Sequence, residues 1–560
     1  MSQELDPPGP ELGSNGLRWG ILAAAGKVRA ESYAREQGIE PALTLERADL
    51  LTGPSALRER ARHTRLDAAM VHSADWRRER SPQLYELALA LIPARRRVIA
   101  DEATGRIAPV GRGELAAGVA RLPLALAQAG GAITAEALRL TLGHPRAFAE
   151  PAGRAPNGAR SVLAIWPGSS GTVGGAVSHI TGILGGLRRA GLRIGMLTGA
   201  PPPDQVRAVL DDVEVTPPLA AAARMTGDTA EILANPALRT AGLELARRLR
   251  PSFIYQRHAS FMVAGAELSR RCSIPLVLEW NGSEVWARSN WSRKLAVERL
   301  LDPLAAVAER TALRHASIVA SVSREAGEMA IQAGASPSKV LVVPNAVDLP
   351  YVERSVNGLA RNSFPPRAAR SPRTADALIG WAGSFGPWHG GEVIVRALAR
   401  LPVRVHLLMI GDGPERARCQ AVALELAVSD RIEWTGPIPH PGALRRLAQC
   451  DVLVSPQTPL PGQRYFQSPI KLFEYMALGR PIVASRLGQM EELLTDRVNA
   501  RLVEPGEVAE LAAVIAELLH SEDRGRALGE AARHEAEANH TWDQRAQMIL
   551  GALEIDANRT

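Results

Sequence analysis

Short aliphatic runs recur along this chain, and most are followed by a stretch whose apolar positions return at helical spacing. Near the N-terminus the runs Trp19–Ala25, Asp67–His72 and Arg97–Ala100 read as strands, with Ser81–Ile92 as a helix between the last two. A second series opens with the strand Ser161–Trp166 and the loop PGSSGTVGG. A helix from about Ala176 to Ala190 and the strand Ile194–Thr198 follow, then Phe253–Gln256, Leu276–Glu279 and Ile318–Ser321. A third series comprises Leu378–Ala382, Val405–Ile410, Ile432–Thr435, Val452–Ser455 and Ile482–Ala484. Strands alternating with helices predict an α/β protein.

Polar stretches rich in Pro, Gly or Arg divide these series. The expected organisation is a disordered tail over 1–16, an accessory α/β domain over 17–150, two Rossmann-like domains over 160–353 and 375–540, and a C-terminal helix over 541–560. Two such sheets separated by a linker face each other across a cleft, where ligands sit at strand C-terminal ends. At 560 residues each unit can bury its own core.

Composition narrows the setting. Cys272, Cys419 and Cys450 are too far apart for a disulfide framework or a zinc site, which points to a reducing cytosol. The N-terminus lacks the basic start and apolar core of a secretion signal, and no window reaches the roughly 18 apolar residues of a membrane span. The most apolar stretch, Val119–Ile133, is broken by Arg121, Pro123 and a Gly pair. The net charge of +7 is scattered. Arg-rich runs such as Arg58–Arg65 and Arg95–Arg97 read as solvated helix faces, with peripheral attraction to an anionic membrane as the open alternative. No nucleic-acid-binding module accompanies them, so nucleic acid is not an expected partner.

The most informative segment is Ser468–Ser485, SPIKLFEYMALGRPIVAS. Leu472, Phe473, Met476 and Ala477 recur at helical spacing, Gly479 stops the helix, and Pro481 opens a buried strand. The loop–helix junction offers unpaired N–H groups and a positive dipole end to an anion. Glu474, one turn further in, can accept two hydrogen bonds from a vicinal diol. Phosphate at the helix start and ribose at the carboxylate describe a nucleotide-sugar site.

This segment resembles the donor signature of the retaining glycosyltransferases of family 4, which have the GT-B fold, in a subgroup reading Ser-Pro-x-Lys-Leu-Phe-Glu-Tyr-Met-Ala. Ser468, Pro469 and Lys471 match that subgroup, and Glu474 matches the glutamate that holds the ribose hydroxyls. The family's other motif glutamate falls on Phe466. The resemblance extends in order from Ser161 to Trp542. Gly174, Gly175 and His179 match the Gly-Gly-x-x-x-His that opens the N-terminal domain, preceded by Gly171, although His179 equally suits a packing role. Arg257 and His258 in IYQRHASF match the loop near the transferring sugar. Glu279, Asn281 and Glu284 in LEWNGSEVW match the next loop, facing acceptor or sugar, where they could equally cap loops. VVPNAVD matches the run before the interdomain linker, with Asn345 expected to hold a turn.

WAGSFGPWHGG stands where the family carries an Arg and a Lys that neutralise the leaving diphosphate; here those places hold Ser384 and His389. Lys471 and Arg464 could supply the charge instead, and a charged His389 would assist. Gly411 and Gly413 match the Gly-x-Gly-Pro turn of the donor side. The resemblance thus implies Arg257, His258, His389 and Lys471 as catalytic, and Gly174, Gly175, Ser384, His389, Gly411, Gly413, Arg464, Ser468, Lys471 and Glu474 as donor-binding. His179, Glu279, Asn281 and Glu284 would face the acceptor or sugar.

The expected activity is transfer of a sugar from a nucleoside diphosphate to a glycan or lipid-linked glycan hydroxyl, with no metal or other cofactor. Two alternatives stay open: a donor-binding but inactive scaffold or partner subunit, and a nucleotide-sugar epimerase on the same fold.

Overall fold

The computed structural model describes residues 17–113 and 127–139 with short breaks, and 160–557 except 167–173, 218, 220–226, 292–298, 357–376 and 461. The tail 1–16, the loop with Gly171, the linker 150–159 and most of the Arg354–Ala377 linker lie outside the described residues, as does most of the apolar stretch 119–133.

Three sheets organise the chain. The first contains β1 (Trp19–Ala23), β2 (Pro41–Glu46), β3 (Ala68–Ser73), β4 (Arg96–Asp101) and β5 (Arg106–Pro109), in the order β2-β1-β3-β4-β5. All neighbours are parallel except the β4–β5 pair. The second comprises β6 (Ser161–Trp166), β7 (Arg193–Thr198), β8 (Asp212–Val215), β9 (Phe253–Arg257), β10 (Leu276–Trp280), β11 (Ile318–Ser321) and β12 (Val340–Val342). Its order is β12-β11-β10-β9-β6-β7-β8, parallel throughout. The third has β13 (Ala377–Ala382), β14 (Val405–Ile410), β15 (Ile432–Gly436), β16 (Val452–Ser455), β17 (Ile482–Ser485) and β18 (Arg501–Val503), ordered β15-β14-β13-β16-β17-β18 and again parallel. The second and third sheets are the Rossmann-like pair of a GT-B fold, with the first as an additional N-terminal α/β unit.

Most strands marked by an apolar run lie inside the sheets, and β6 and β16 are fully buried, whereas β15, also marked, is a half-exposed edge. The unmarked ones are edges: β2, β5 and β8 are half-exposed, and β12 and β18 are three residues long. Half-exposed or very short strands bury too little to write an unbroken hydrophobic run. Cys272, Cys419 and Cys450 are all buried and free.

The chain ends by returning to the second sheet. Helix Trp542–Ala557 lies against helix Gly175–Arg189, with Trp542 buried under it. Gly182 and Gly186 make that approach feasible, since a Cβ on Gly182 would sit 2.2 Å from the Trp542 indole.

The last described helix of the expected accessory unit, 17–150, touches the second sheet's unit. Residues 133–139 are helical and dock on the second sheet's helices, with Ile133 packed among Ile232, Phe261 and Ala305. Arg239 is buried there, 2.5 Å from Glu136 and 2.9 Å from Glu267, while Arg139 adds a contact of 3.4 Å to Glu267. This stretch is thus packed against the cleft-forming part of the molecule.

Candidate functional site

Helix Ile470–Leu478 carries Lys471 and Glu474, two of the residues expected to bind a donor. Its apolar face, Leu472, Phe473, Met476 and Ala477, is buried, and it ends on Gly479 in the left-handed conformation. Tyr475 pins it to the third sheet: its hydroxyl oxygen accepts a hydrogen bond from Ala382 N–H, at the end of β13, at 2.9 Å. Its first residue faces the start of helix Gly175–Arg189: a Cβ on Gly175 would lie 3.8 Å from Ile470 Cδ1. Two helix N-termini, one from each side of the cleft, thus lie next to each other.

Lys471 and His389 stand beside this junction. Lys471 Nζ is buried, 5.0 Å above the Trp381 ring, and has no hydrogen-bond partner among the described residues. Burial pushes its pKa down to about 7. His389 Nδ1 accepts a hydrogen bond from Gly386 N–H at 3.2 Å, with Ser384 Oγ at 3.4 Å. An acceptor Nδ1 places the ring proton on Nε2, and burial with the nearby Lys471 pulls the pKa down to about 3. The expected charged His389 is therefore corrected: the ring is a neutral donor.

Glu474 Oε1 accepts from His440 Nε2 at 2.8 Å. Across the cleft, Glu279 at the end of β10 is the hub of a buried network. It is ion-paired with Arg257, accepts from Asn281 Nδ2 at 2.7 Å and from the Tyr255 hydroxyl at 3.1 Å, and lies 3.3 Å from His179 Nε2. Burial alone would raise its pKa, but Arg257, His179 and Asn281 outweigh that and hold it well below the usual carboxylate range. The other nitrogen of His179 lies 2.5 Å from Asn345 Oδ1. Glu284, opening helix Glu284–Asn290, accepts from Ser260 Oγ at 3.1 Å.

Several expected contacts are committed elsewhere. Ser468 is buried; its hydroxyl accepts from Asn345 N–H at 3.0 Å and its carbonyl from Asn345 Nδ2 at 2.5 Å. It ties the two units together, and Asn345 spans the cleft where a local turn was expected. His258 is buried, stacked on Trp280 with centroids 4.7 Å apart, and bonded to Glu309 at 3.2 Å. Those contacts hold its ring in the packing of the second sheet, with Nδ1 unpartnered among the described residues. Arg464 is paired with Glu328 across the cleft, so its charge is already matched. Gly411 and Gly413 let the β14 loop meet the β13 loop: a Cβ on either would lie 2.0 Å from Gly383 O or 1.7 Å from Ser384 O respectively. They shape the donor side through loop packing.

Phe466, at the place of the missing motif glutamate, is an interdomain anchor. It is buried in the core of the second sheet, edge-on to Trp286 at 5.3 Å and stacked on Trp291 at 5.6 Å. Trp291 stacks in turn on Trp388 of the third sheet's unit, 4.9 Å away. Ser323 Oγ donates to Phe466 O at 2.6 Å, and Gln489 Nε2 to Val322 O at 2.6 Å. His440, Tyr255 and this aromatic set went unrecognised in the sequence, because each works through a partner remote in the chain.

Among the described residues no helix is long and apolar enough to cross a membrane. Residues 174–346 match the family described as glycosyl transferase 4-like domain, and residues 376–521 match glycosyl transferases group 1. The 2-deoxystreptamine glucosyltransferase of Streptomyces kanamyceticus is 29% identical over 40% of this chain and 56% of its own length. The MMP alpha-(1->4)-mannosyltransferase of Mycolicibacterium hassiacum is 28% identical over 48% of this chain and 61% of its own. The chain thus spans little more than half the length of these curated relatives. Among solved structures, Anabaena HepE in complex with UDP shares the fold with a TM-score of 0.53, at 20% identity over 71% of this chain and all of that one. Sucrose-phosphate synthase from Thermosynechococcus elongatus does so with 0.53, at 17% identity over 72% of this chain and all of that one.

Proposed function

We propose, from the premise that residues 174–346 and 376–521 are the two domains of a GT-B glycosyltransferase, that the protein is a retaining enzyme. It moves a sugar from a nucleoside diphosphate to an acceptor hydroxyl. Lys471 carries this reading: a buried amine without a hydrogen-bond partner among the described residues, beside a neutral imidazole donor, is a site built for an anion. The diphosphate would lie against Lys471, His389 Nε2–H and the two facing helix starts, with the ribose at Glu474. The sugar would point toward Arg257, His179 and Glu279. The UDP bound in the HepE structure supports a nucleoside diphosphate as the ligand class.

In the transfer we propose, the acceptor oxygen bonds to the anomeric carbon on the face from which the diphosphate leaves. The C–O bond to the diphosphate breaks, and the leaving phosphate oxygen takes the acceptor proton. Stabilising the departing negative charge is the largest contribution the site makes, and neither a protein base nor a bound metal is called for. The acceptor is a glycan or lipid-linked glycan, in polysaccharide or glycolipid synthesis, and the enzyme works in the cytoplasm with peripheral membrane contact.

A second reading, a donor-binding subunit that does not turn over, has one observation in its favour: Phe466 replaces a motif glutamate and is locked into the opposite domain. A thermal-shift screen over nucleotide sugars, followed by a transfer assay on extracted glycans and glycolipids, separates the two. Donor-dependent stabilisation with acceptor-dependent release of nucleoside diphosphate supports the enzyme. Stabilisation without release supports the subunit, and a sugar altered without being consumed would indicate an epimerase. No stabilisation by any donor rejects the site.

A further inference from the structure

The carboxylate that would hold the ribose is itself held. Glu474 Oε1 accepts from His440 Nε2 at 2.8 Å, and Oε2 takes no hydrogen bond from any described residue. His440 opens helix His440–Leu447, and its ring lies on Tyr351 with centroids 5.3 Å and planes 27° apart. Tyr351 is fixed in turn by a hydrogen bond from its N–H to Asp348 Oδ1 at 2.9 Å. Burial disfavours the charged imidazole, yet Glu474 raises its pKa above the ordinary value and so favours the donor state.

A glutamate reads a vicinal diol only when both carboxylate oxygens face the two hydroxyls together. A free side chain would have to give up rotamer freedom on binding, a cost that a prior contact removes. We infer that His440 is a positioning residue that fixes the plane of Glu474. Oε2 and the remaining lone pair of Oε1 then meet the two ribose hydroxyls, so preference for ribose over 2′-deoxyribose belongs to the His440–Glu474 pair. This rests on the donor site proposed above.

Calorimetric titration of the full chain with UDP, GDP and their 2′-deoxy counterparts tests it. Native protein should favour the ribonucleotide by about ten-fold or more, the scale of one hydrogen bond to a charged group. Glu474→Ala should abolish the preference and His440→Ala most of it. His440→Gln, whose amide can still donate, should restore part. Melting curves check that each variant folds. Retention of the native preference in His440→Ala would overturn the inference, as would equal weakening of ribo- and deoxynucleotide or tighter ribonucleotide binding. In those cases a preference still lost in Glu474→Ala would leave the donor site standing. Failure of native protein to bind either UDP or GDP would overturn the donor site and this inference together.

Discussion

In the proposed site Lys471 and His389 would divide the work of meeting a diphosphate in a way that pH can separate. With a pKa of about 7 in the free protein, Lys471 is charged below neutrality and an anion can bind it at full strength. A bound diphosphate raises that pKa, so above pH 7 each binding event must also bring a proton onto the amine. Affinity for a nucleotide sugar, whose esterified diphosphate has no group titrating near neutrality, should therefore be flat just below pH 7. It should fall by up to about ten-fold per pH unit above, until pH passes the raised value. Calorimetry in buffers of different ionisation enthalpy should register proton uptake at pH 8. His389, at about 3, is neutral throughout this range, so His389→Gln should leave the pH slope in place. Lys471→Met should weaken binding and remove the slope; a slope that persists in that variant would assign it to another group.

At the scale of elements, two aromatic side chains decide how the cleft is held. Phe466 reaches from the third sheet's unit into a pocket cleared by Gly282, where a Cβ would stand 2.5 Å from the ring. Phe466→Ala should lower stability by about 3 kcal/mol or more, as large-to-small changes in cores do, with a change in emission from the neighbouring tryptophans. A loss under about 1 kcal/mol would mean the ring is not packed as described. Trp542 sets the return of the last helix over Gly182. Gly182→Ala forces the indole aside and should cost about 1–3 kcal/mol. Trp542→Leu, which vacates the ring's space, should make the glycine substitution less costly, and a double-mutant cycle in denaturant measures that coupling. Strict additivity would show that the two do not touch.

For the whole molecule, the question is where the catalytic part begins. A chain starting near Ala155 keeps both cleft-forming sheets but discards Glu136, leaving buried Arg239 with Glu267 alone. Burial already raises the pKa of Glu267 against the pull of Arg239 and Arg139, so this cluster is costly to open. Such a chain should be less stable by about 1–3 kcal/mol than one starting near Gln128, the scale of a lost hydrogen bond to a charged group. Equal melting temperatures for the two would keep the boundary at the linker. Donor binding should persist in both, since none of the donor-side residues lies before Gly174.

The sequence by itself determined the α/β alternation, the central strands and the helix Ile470–Leu478 with its Gly479 stop. Those signals are local: a buried strand needs an unbroken apolar run, and a helix needs its apolar stripe and its cap. It also placed Lys471 and Glu474 beside one helix start, because residues three apart on one helix keep their relation wherever that helix goes. Tertiary structure decided the rest. Neutral His389 depends on a backbone N–H donated from Gly386 and on burial that no spacing records. The contacts of Ser468 and His258 were likewise set by Asn345 and Glu309, remote in sequence. His440 gained its partner only when its helix was laid beside Glu474. Local propensity is written residue by residue, whereas the partner of a polar side chain is settled by which elements pack together.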